Sequence, residues 1–593
     1  MALLESENLQ HFYINEEQSV YLLSHRDAQK LKDWLSLCEV QLQRLGYENI
    51  SLIGKGAYGF VFAGQSSQGL EYVFKFSRIT LAKKIQERLE EEGYMLSQVQ
   101  QEKVPAFIDY QRVRGQSILM MSRARGVDLD ELVRQQGRLP ARLVLKIAAQ
   151  MVEILAGLRS DAAFKLRAPL VHGDIKPSNI VFDPEVETVS LIDWGAAVFA
   201  QLDHRGQHTN TGGLNALSAD LQHTNAKLGD VYFIGEDQLK GHLSSPRFDE
   251  QGLAGTLYAL ASGQGSRFGK DVIRPESLGL PIEFARTLSN LLGDDDVMRK
   301  KAGDYLFANM QYMKRIVPEV RETTHQTQPL VPLWLIESDQ TLETVVYSSR
   351  KSFLRQEMSA KAFASVDKTE LDKYYKNYLS GMADTEKAFI TAVSHLGRYP
   401  VVGGLAIRWQ DDGVYIDSSL NLADESLRPA FIGAVNNMVY LAKAINKKGV
   451  FKSCIFDARK TLHIERDEAS ALFNAGPSDF IPFEISEIQD LEDESRLHSY
   501  FEDGDDPDEM LVLPDVIMER LTAMNKIHHT GCIIFESVEE ELKIHNYLKL
   551  LDASKVDAFS DCLADIMNSL SLIEGEGVSG FMKLPYKDTK FFR

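Results

Sequence analysis

Residues 172–179, with the sequence HGDIKPSN, place several chemically useful side chains within one short segment. Asp174 can orient a hydroxyl group and accept its proton, and Lys176 can neutralise charge that builds up on a transferring phosphoryl group. Asn179 carries a hard amide oxygen of the kind that Mg²⁺ binds. The segment follows the apolar run 168–171 and contains Pro177, so a solvated surface turn is the simple alternative. The rest of the chain must decide between the two.

A further acidic group stands fourteen residues beyond Asn179. Asp193 comes directly after the hydrophobic strand candidate 190–192 and is followed by Trp194 and Gly195. Carboxylate and amide oxygens are the ligands that Mg²⁺ takes beside nucleotide phosphates. The two segments together therefore predict phosphoryl transfer, with Asp174 and Lys176 as catalytic residues and Asn179 and Asp193 as metal ligands.

A glycine-rich run, GKGAYGFV, lies upstream between two strand candidates. Glycines let backbone N–H groups approach phosphate oxygens, and a lysine on a neighbouring strand can add a fixed positive charge. A dinucleotide-binding fold would place a helix directly after such a run, whereas here a second strand, a turn and a third strand follow. We expect these strands to hold nucleotide phosphates through Gly54, Lys55, Gly56, Ala57, Tyr58, Gly59, Val61 and Lys75.

Lys75 lies in an apolar strand and needs an anionic partner, because an unpaired buried ammonium is costly. The predicted helix from about residue 81 to 99 supplies Glu92, on the same helical face as Leu96, with Glu91 as the alternative. An exposed acidic turn over residues 90–92 is the simpler interpretation of that segment. We take Glu92 as the catalytic partner of Lys75.

The order of these motifs resembles the eukaryotic-like (Hanks-type) serine/threonine protein kinase family over roughly residues 45–318. The resemblance implies ATP and Mg²⁺ as cofactors, and protein serine or threonine hydroxyls, including its own, as acceptors. It also implies that Met121, Ser122 and Ala124 bind adenine and that Asp128 lies near the ribose.

Later parts of the chain extend the resemblance. Residues 232–236 stand where the family closes its activation segment, and Asp249 resembles the buried aspartate that anchors the catalytic loop. By the same resemblance, Arg299 is expected to pair with Glu236.

Three positions depart from the family pattern: Gly173 stands for an arginine, Trp194 for a phenylalanine and Gly235 for a proline. The HGD triplet also occurs in aminoglycoside and choline kinase relatives, so a small-molecule kinase remains an alternative, as does a pseudokinase scaffold. Lys176 and Pro177 fit the protein kinase pattern, and no catalytic position is missing. We therefore expect a protein serine/threonine kinase.

Composition restricts the partners and the compartment. The net charge is −20, of which −4 falls in residues 1–320 and −16 in residues 321–593, so the chain lacks the basic stripe that nucleic acid or an anionic membrane would require. No signal peptide or long apolar stretch is evident, so we expect a cytoplasmic protein.

The four cysteines have no paired spacing, which predicts reduced, mostly buried thiols. The oligomeric state stays open.

The periodicities predict an α+β chain: a bilobal protein-kinase-like fold followed by an α-rich mixed accessory domain. Helical patterns in the second half cover about 369–396, 427–446, 515–525 and 555–572, with a hairpin over 401–409 and 414–418. We recognise no family there and expect a domain that binds substrate or restrains the kinase. The expected divisions are an N-terminal helical extension 1–48, a catalytic domain 49–318, a linker 319–335 and an accessory domain 336–593.

Overall fold

The structure is a computed structural model that describes residues 12–13, 25–56, 59–77, 83–113, 116–159, 169–209, 229–316, 328–336, 342–349, 382–468, 471–486, 498–501, 511–538, 540–584 and 589–592. Much of the expected linker and of the acidic stretch 484–509 lies outside these residues, as do Ala57 and Tyr58.

The small lobe contains an antiparallel sheet. Because successive side chains of a strand point to opposite faces, the aromatic rings of alternate residues lie on one face of this sheet. Phe60 and Phe62 on one strand and Phe74 and Phe76 on the next pack against the N-terminal helix. Residues between them, including Lys75, must then point to the opposite face, towards the second helix. The elements are α1 (His25–Arg44), β2 (Glu48–Gly56), β3 (Gly59–Gln65), β4 (Glu71–Ser77), α2 (Lys83–Ser97), β5 (Phe107–Val113) and β6 (Gln116–Ser122), and the strands follow the order β2-β3-β4-β6-β5.

The large lobe is mainly helical and confirms the predicted bilobal α+β architecture. Helix α6 (Pro246–Ser262) is buried along nearly its whole length and forms the centre of this lobe. The HGDIKPSN segment lies between strands β8 (Leu170–Val171) and β9 (Ile180–Asp183), directly beside that helix. The other elements are β7 (Val127–Asp128), α3 (Leu129–Gln136), α4 (Ala141–Leu158), β10 (Thr188–Leu191), β11 (Val198–Phe199), α5 (Glu236–Leu239), α7 (Ile282–Leu291) and α8 (Asp296–Met313).

The described part of the accessory domain is mixed, as predicted, and it contains more strand than helix, because two large sheets form its centre. The predicted hairpin and helices are present where the structure describes them. The sequence missed most strands because they are buried on both faces and lack polar alternation. The elements are β12 (Leu333–Leu335), β13 (Thr344–Ser349), α9 (Asp384–Leu396), β14 (Val401–Gln410), β15 (Gly413–Ser418), β16 (Leu420–Leu422), α10 (Arg428–Ala444), β17 (Gly449–Asp457), β18 (Leu462–Glu465), β19 (Glu484–Ile485), β20 (His498–Phe501), α11 (Asp515–Asn525), β21 (His529–Val538), β22 (Glu541–Leu550), α12 (Val556–Asn568), β23 (Gly577–Leu584) and β24 (Thr589–Phe591).

These elements pack in four layers, helices on sheet on sheet on helices. Alternate residues of β14 show the arrangement: Leu405 and Ile407 face helices α9 and α10, whereas Ala406 faces the second sheet. On the second sheet Ile533 and Phe535 face helices α11 and α12, whereas Ile534 joins the core between the sheets. Both sheets are therefore covered on both faces.

The accessory domain contains an internal duplication with an offset of 128 residues. The first repeat, α9 to β17, and the second repeat, α11 to β23, have the same order of elements, except that the single strand β22 corresponds to β15 and β16 together; β14 at 401–410 corresponds to β21 at 529–538. The strand pairing Gly403↔Ile455 recurs as Gly531↔Lys583. Both glycines have positive φ, and a Cβ on either would lie within 2 Å of a carbonyl oxygen on the neighbouring strand. The same backbone approach thus requires glycine in each repeat.

The two repeats contact each other reciprocally, and one of these contacts corrects the cysteine prediction. A Cβ at Gly404 would lie 2.6 Å from Sδ of Met582, and the equivalent positions, Cys532 and Cys454, form a disulfide. Such exchange of equivalent partners is the mark of a two-fold relation. The sequence could not predict this pair, because its members lie 78 residues apart on strands of different sheets. Cys38 and Cys562 are free and buried, as expected.

The accessory domain packs against the large lobe through its first repeat. Asn437 Nδ2 donates to the carbonyl of Ser262 over 3.0 Å, and a Cβ at Gly269 would lie 3.0 Å from Ala388 Cβ. Strand β12 pairs in parallel with β16, so the described end of the expected linker belongs to the accessory sheet. At the other edge, β1 (Phe12–Tyr13) pairs with β13 and brings the N-terminal part of the chain to the same sheet.

His395 is buried where α9 meets Gly265 of the large lobe, and neither ring nitrogen has a hydrogen-bond partner among the described residues. The pKa of His395 is lowered from an ordinary 6.5 to about 4, mainly by burial and to a smaller extent by Arg398 and Arg134, against the opposing charge of Asp130. The folded state therefore favours the neutral ring. The preference for neutral His395 contributes fully to the free energy of unfolding above pH 6.5, and this contribution is lost as the pH falls towards 4.

We expect acidification from pH 7 to pH 5 to cost the wild type on the order of 2 kcal/mol more than a His395→Phe variant, which cannot be protonated. Denaturant unfolding at the two pH values measures the difference. His242→Phe, at an exposed histidine, is the control and should retain the wild-type pH dependence. Equal pH dependence in the wild type and His395→Phe would contradict a neutral, buried His395.

Candidate active site

Lys75 lies between two carboxylates that come from different parts of the fold. Its Nζ is 2.5 Å from Glu92 Oε1 on α2 and 2.7 Å from Asp193 Oδ1 on the loop after β10. The predicted partner Glu92 is therefore the correct one, and it is buried, whereas the alternative, Glu91, is exposed. The cluster joins the small-lobe sheet, helix α2 and the large lobe.

Electrostatics favour the charged forms of Lys75 and Asp193 within this cluster. Burial alone would lower the pKa of the Lys75 ammonium, but Asp193 and Glu92 outweigh it and raise this pKa above its ordinary value. Burial would likewise raise the pKa of Asp193, but Lys75 holds it well below its ordinary range. Burial raises the pKa of Glu92 despite the lysine. The half-exposed Asp193 carboxylate is thus an ionised acid that remains accessible to solvent.

The catalytic-loop backbone is anchored by Asp249, as predicted. Its two carboxylate oxygens accept the N–H groups of His172 and Gly173, each over 2.8 Å. Gly173 has φ = +79°, and its carbonyl accepts Gln238 Nε2 over 2.7 Å. The departure from arginine at this position thus coincides with a left-handed backbone that favours glycine.

Asp174 is held by three groups. Its Oδ1 accepts the N–H of Asp230 over 2.7 Å, and its Oδ2 accepts Asn179 Nδ2 over 3.0 Å. Lys176 Nζ lies 3.2 Å from the same Oδ2 and 3.7 Å from Asp230. Burial alone would lower the pKa of Lys176, but Asp174 and Asp230 raise it, so the lysine stays charged.

The two predicted metal ligands belong to backbone segments that are joined directly. The N–H of Ile192 donates to the carbonyl of Asn179 over 3.0 Å, which places Asp193 next to Asn179. Asn179 Nδ2 donates to the carbonyl and carboxylate of Asp174, so its amide oxygen points away from them. Asp193 has φ = +62°, a left-handed conformation that is uncommon for a non-glycine residue and clusters at functional sites.

The glycine-rich segment forms the β2–β3 hairpin, with Gly56 paired to Gly59. A Cβ at Gly59 would lie 1.9 Å from the carbonyl oxygen of Phe76, so only glycine fits there. Gly54 faces Val61 across the hairpin. Lys55 and Gly56 belong to β2, while Ala57 and Tyr58 lie outside the described residues.

The predicted adenine-binding residues follow strand β6. Met121 is buried and pairs with Val73, while the Ser122 N–H donates to the carbonyl of Ala106 over 2.9 Å. Ala124 lies in the short connection that follows. Asp128, predicted near the ribose, is the N-cap of α3 and accepts the N–H of Glu131 over 2.8 Å.

Two further departures have a packing reason, and one predicted pair is wrong. Trp194 is buried with its ring 5.1 Å from that of His172, and the amide end of the Gln251 side chain occupies the space that a Cβ at Gly235 would take. Arg299 does not pair with Glu236; its Nη2 lies 3.5 Å from Asp237. Arg267 from the loop after α6 pairs with Glu236 over 3.2 Å instead. Sequence order alone could not distinguish the two arginines, since both follow α6.

Sequence reasoning missed Asp230 and Gln238, which contact the catalytic loop from the segment before and within α5. A Cβ at Gly229 would lie 2.4 Å from the carbonyl oxygen of Gly173, so this segment touches the loop directly. The only signal in the sequence was the Gly229–Asp230 pair ahead of the Tyr232–Glu236 motif. That pair does not indicate that Asp230 and Gln238 lie next to the catalytic loop.

The comparison with known families supports this geometry. Residues 47–263 match the sequence model of the protein kinase domain, and this part of the chain is a protein kinase domain. Residues 264–593 lie outside the match.

Individual relatives are serine/threonine-protein kinases of low identity. The chain is 22% identical over 224 residues to a probable serine/threonine-protein kinase of Clostridium perfringens, covering 37% of this chain and 29% of that protein. It is 26% identical over 146 residues to PrkC of Bacillus subtilis, covering 25% and 19%. It is 24% identical over 249 residues to PknE of Mycobacterium tuberculosis, covering 39% and 40%. The chain thus spans less than half the length of each of these relatives.

Two kinds of feature are absent from the residues that the structure describes. None of their helices is long and apolar enough to cross a membrane. Nor do they contain a cluster of three His, Cys, Asp or Glu side chains that could bind a metal without further ligands. A divalent ion at Asn179 and Asp193 would therefore need oxygens from a bound nucleotide, as Mg²⁺ commonly does.

We expect Asp249→Ala to destabilise the protein by about 2–5 kcal/mol, because the N–H groups of His172 and Gly173 would lose their buried acceptor. Denaturant unfolding and amide exchange at His172 and Gly173 measure the effect. Asp304→Ala, at a carboxylate that is 63% exposed, is the control and should change stability by less than about 1 kcal/mol. Unchanged exchange protection in Asp249→Ala would contradict its anchoring role.

Proposed function

We propose that the chain is an ATP- and Mg²⁺-dependent protein serine/threonine kinase that transfers the γ-phosphoryl group of ATP to protein hydroxyls, including its own. The main support is that Lys75 contacts both Glu92 and Asp193. The Asp174 carboxylate contacts Asn179 and Lys176 in the same site. Residue types, distances and charges all suit phosphoryl transfer, and the match to the protein kinase domain supports the same reaction.

The residues present fit a nucleotide with its metal. The close β3–β4 approach at Gly59 leaves a backbone surface without side chains, and Lys75 provides a positive charge on the same face of the sheet. The amide oxygen of Asn179 and the carboxylate of Asp193 are the hard donors that would hold Mg²⁺. When bound, the metal would neutralise phosphate charge.

Each side chain of the site would then have a separate role in phosphoryl transfer. Lys75 and the hairpin backbone would hold the phosphates, while Asp174 would orient the acceptor hydroxyl and take its proton. Lys176 would stabilise negative charge on the transferring group, since its ammonium lies beside Asp174 and stays protonated. Glu92 would act through its contact with Lys75 and is a positioning residue.

Isosteric substitutions separate these roles. We expect Asp193→Asn to weaken Mg²⁺-dependent ATP binding and to abolish phosphoryl transfer, because it removes the charge that would hold the metal. Asp174→Asn should abolish transfer yet leave ATP binding nearly unchanged, because Asp174 acts on the acceptor. Calorimetric MgATP binding and transfer of labelled phosphate measure the two effects.

Asp271→Asn, at a side chain that is 74% exposed, is the matched control and should behave as the wild type. Full transfer activity in either site variant would contradict the assignment. Phosphorylation of an aminoglycoside or of choline by a wild type that labels no protein would support a small-molecule kinase instead. Tight MgATP binding without any transfer would support a pseudokinase scaffold.

A further inference from the structure

The acceptor site has a border formed by the segment that follows Gly229. An acceptor hydroxyl must reach the carboxylate of Asp174, and Asp230 already contacts that carboxylate through its backbone N–H. Val231 is the next residue, so its Cα lies only about 3.8 Å further along the chain. Whatever covers Val231 therefore lies beside the path of a polypeptide that enters the site.

This segment shares a hydrophobic core with the accessory domain. Val231 and Phe268 of the large lobe are 7% and 2% exposed and belong to the same hydrophobic core as Phe389 and Leu441 of the first repeat. Tyr232 packs against the same core. These contacts are those of a protein interior, since the side chains are almost fully excluded from water.

Polar contacts fix the position of the first repeat around this shared core. Ser266 Oγ lies 3.0 Å from Thr391 Oγ1, with both residues buried, and Asn437 Nδ2 donates to the Ser262 carbonyl. Arg398 forms an ion pair with Asp130 of α3. The contact thus extends from the loop after α6 to the beginning of α3.

We propose that the first repeat forms a wall on one side of the acceptor site, so that the protein phosphorylates serine or threonine residues close to one end of a polypeptide. A chain that continues past the acceptor on the Val231 side would meet helices α9 and α10 within two or three residues, roughly 7–10 Å. A chain that ends there would not. This substrate class rests on the proposed kinase function.

Three peptides of the same composition and about 15 residues test the proposal, with one serine near the amino end, in the middle or near the carboxyl end. We expect one of the two peptides with a terminal serine to exceed the other two peptides in kcat/KM by at least about tenfold, because only that chain avoids the wall. The full-length protein is used with MgATP. A central serine that reacts within threefold of the better end would overturn the proposal, as would labelling of a folded basic protein with no labelling of any peptide.

A pair of substitutions at equivalent positions of the two repeats locates the cause. Thr391→Arg places a long cation in the buried contact with Ser266, whereas the residue 128 positions later, Glu519, is exposed on α11. Thr391→Arg should raise kcat/KM for the central peptide by at least about tenfold with little change for the preferred end peptide. Glu519→Arg should change neither value.

A folded Thr391→Arg protein, by circular dichroism, whose interface has become accessible to protease but whose peptide preference is unchanged would contradict the wall. If Thr391→Arg does not fold, the wild-type peptide series decides alone. Failure of the kinase function itself would look different: no peptide, protein or autophosphorylation product would be labelled, although MgATP binds.

Discussion

The ammonium of Lys75 is the charge on which the rest of the active site depends. It is only 17% exposed, so it requires the two carboxylates it contacts. Those carboxylates belong to α2 and to the loop after β10, and the strand beneath them is oriented by the Phe60, Phe62, Phe74 and Phe76 side chains packed under α1. The N-terminal helix, the sheet, α2 and the large lobe are therefore all needed to place one cation opposite Asp193.

The accessory domain uses one of two related surfaces to bind the large lobe. Small or polar residues of the first repeat, Ala388, Thr391 and Asn437, make the contact, and the positions 128 residues later hold Val516, Glu519 and Asp565. Those substitutions leave the second repeat with a charged outer face that could not enter a buried contact without a desolvation cost. Among the described residues, divergence after duplication thus explains why these contacts with the large lobe come from the first repeat.

The sequence indicated candidate residues for the site because the chemistry leaves few choices: a strand lysine needs a buried acid, and phosphoryl transfer needs oxygen donors and a base at fixed spacing. It predicted the Lys75–Glu92 pair and the Asp249 anchor. It could not predict contacts between distant segments of similar type, such as Arg267 rather than Arg299 on Glu236, or Asp230 on Asp174. The accessory domain was harder still, since its strands are apolar on both faces and its two repeats share few identical residues. The Cys454–Cys532 pair depends on that packing and has no local signal.

Every role proposed for Lys75 requires that Glu92, and not the acidic residues beside it, keeps the lysine in place for phosphoryl transfer. The most direct test compares MgATP-dependent phosphorylation by Glu92→Gln and Glu91→Gln, two neutral substitutions at adjacent positions of α2. We expect Glu92→Gln to lose at least about tenfold in kcat/KM, a barrier increase of about 1.4 kcal/mol, because Lys75 loses one of its two charged partners. Glu91→Gln should retain wild-type activity, since Glu91 is exposed. Equal activity in the two variants would contradict the role of Glu92.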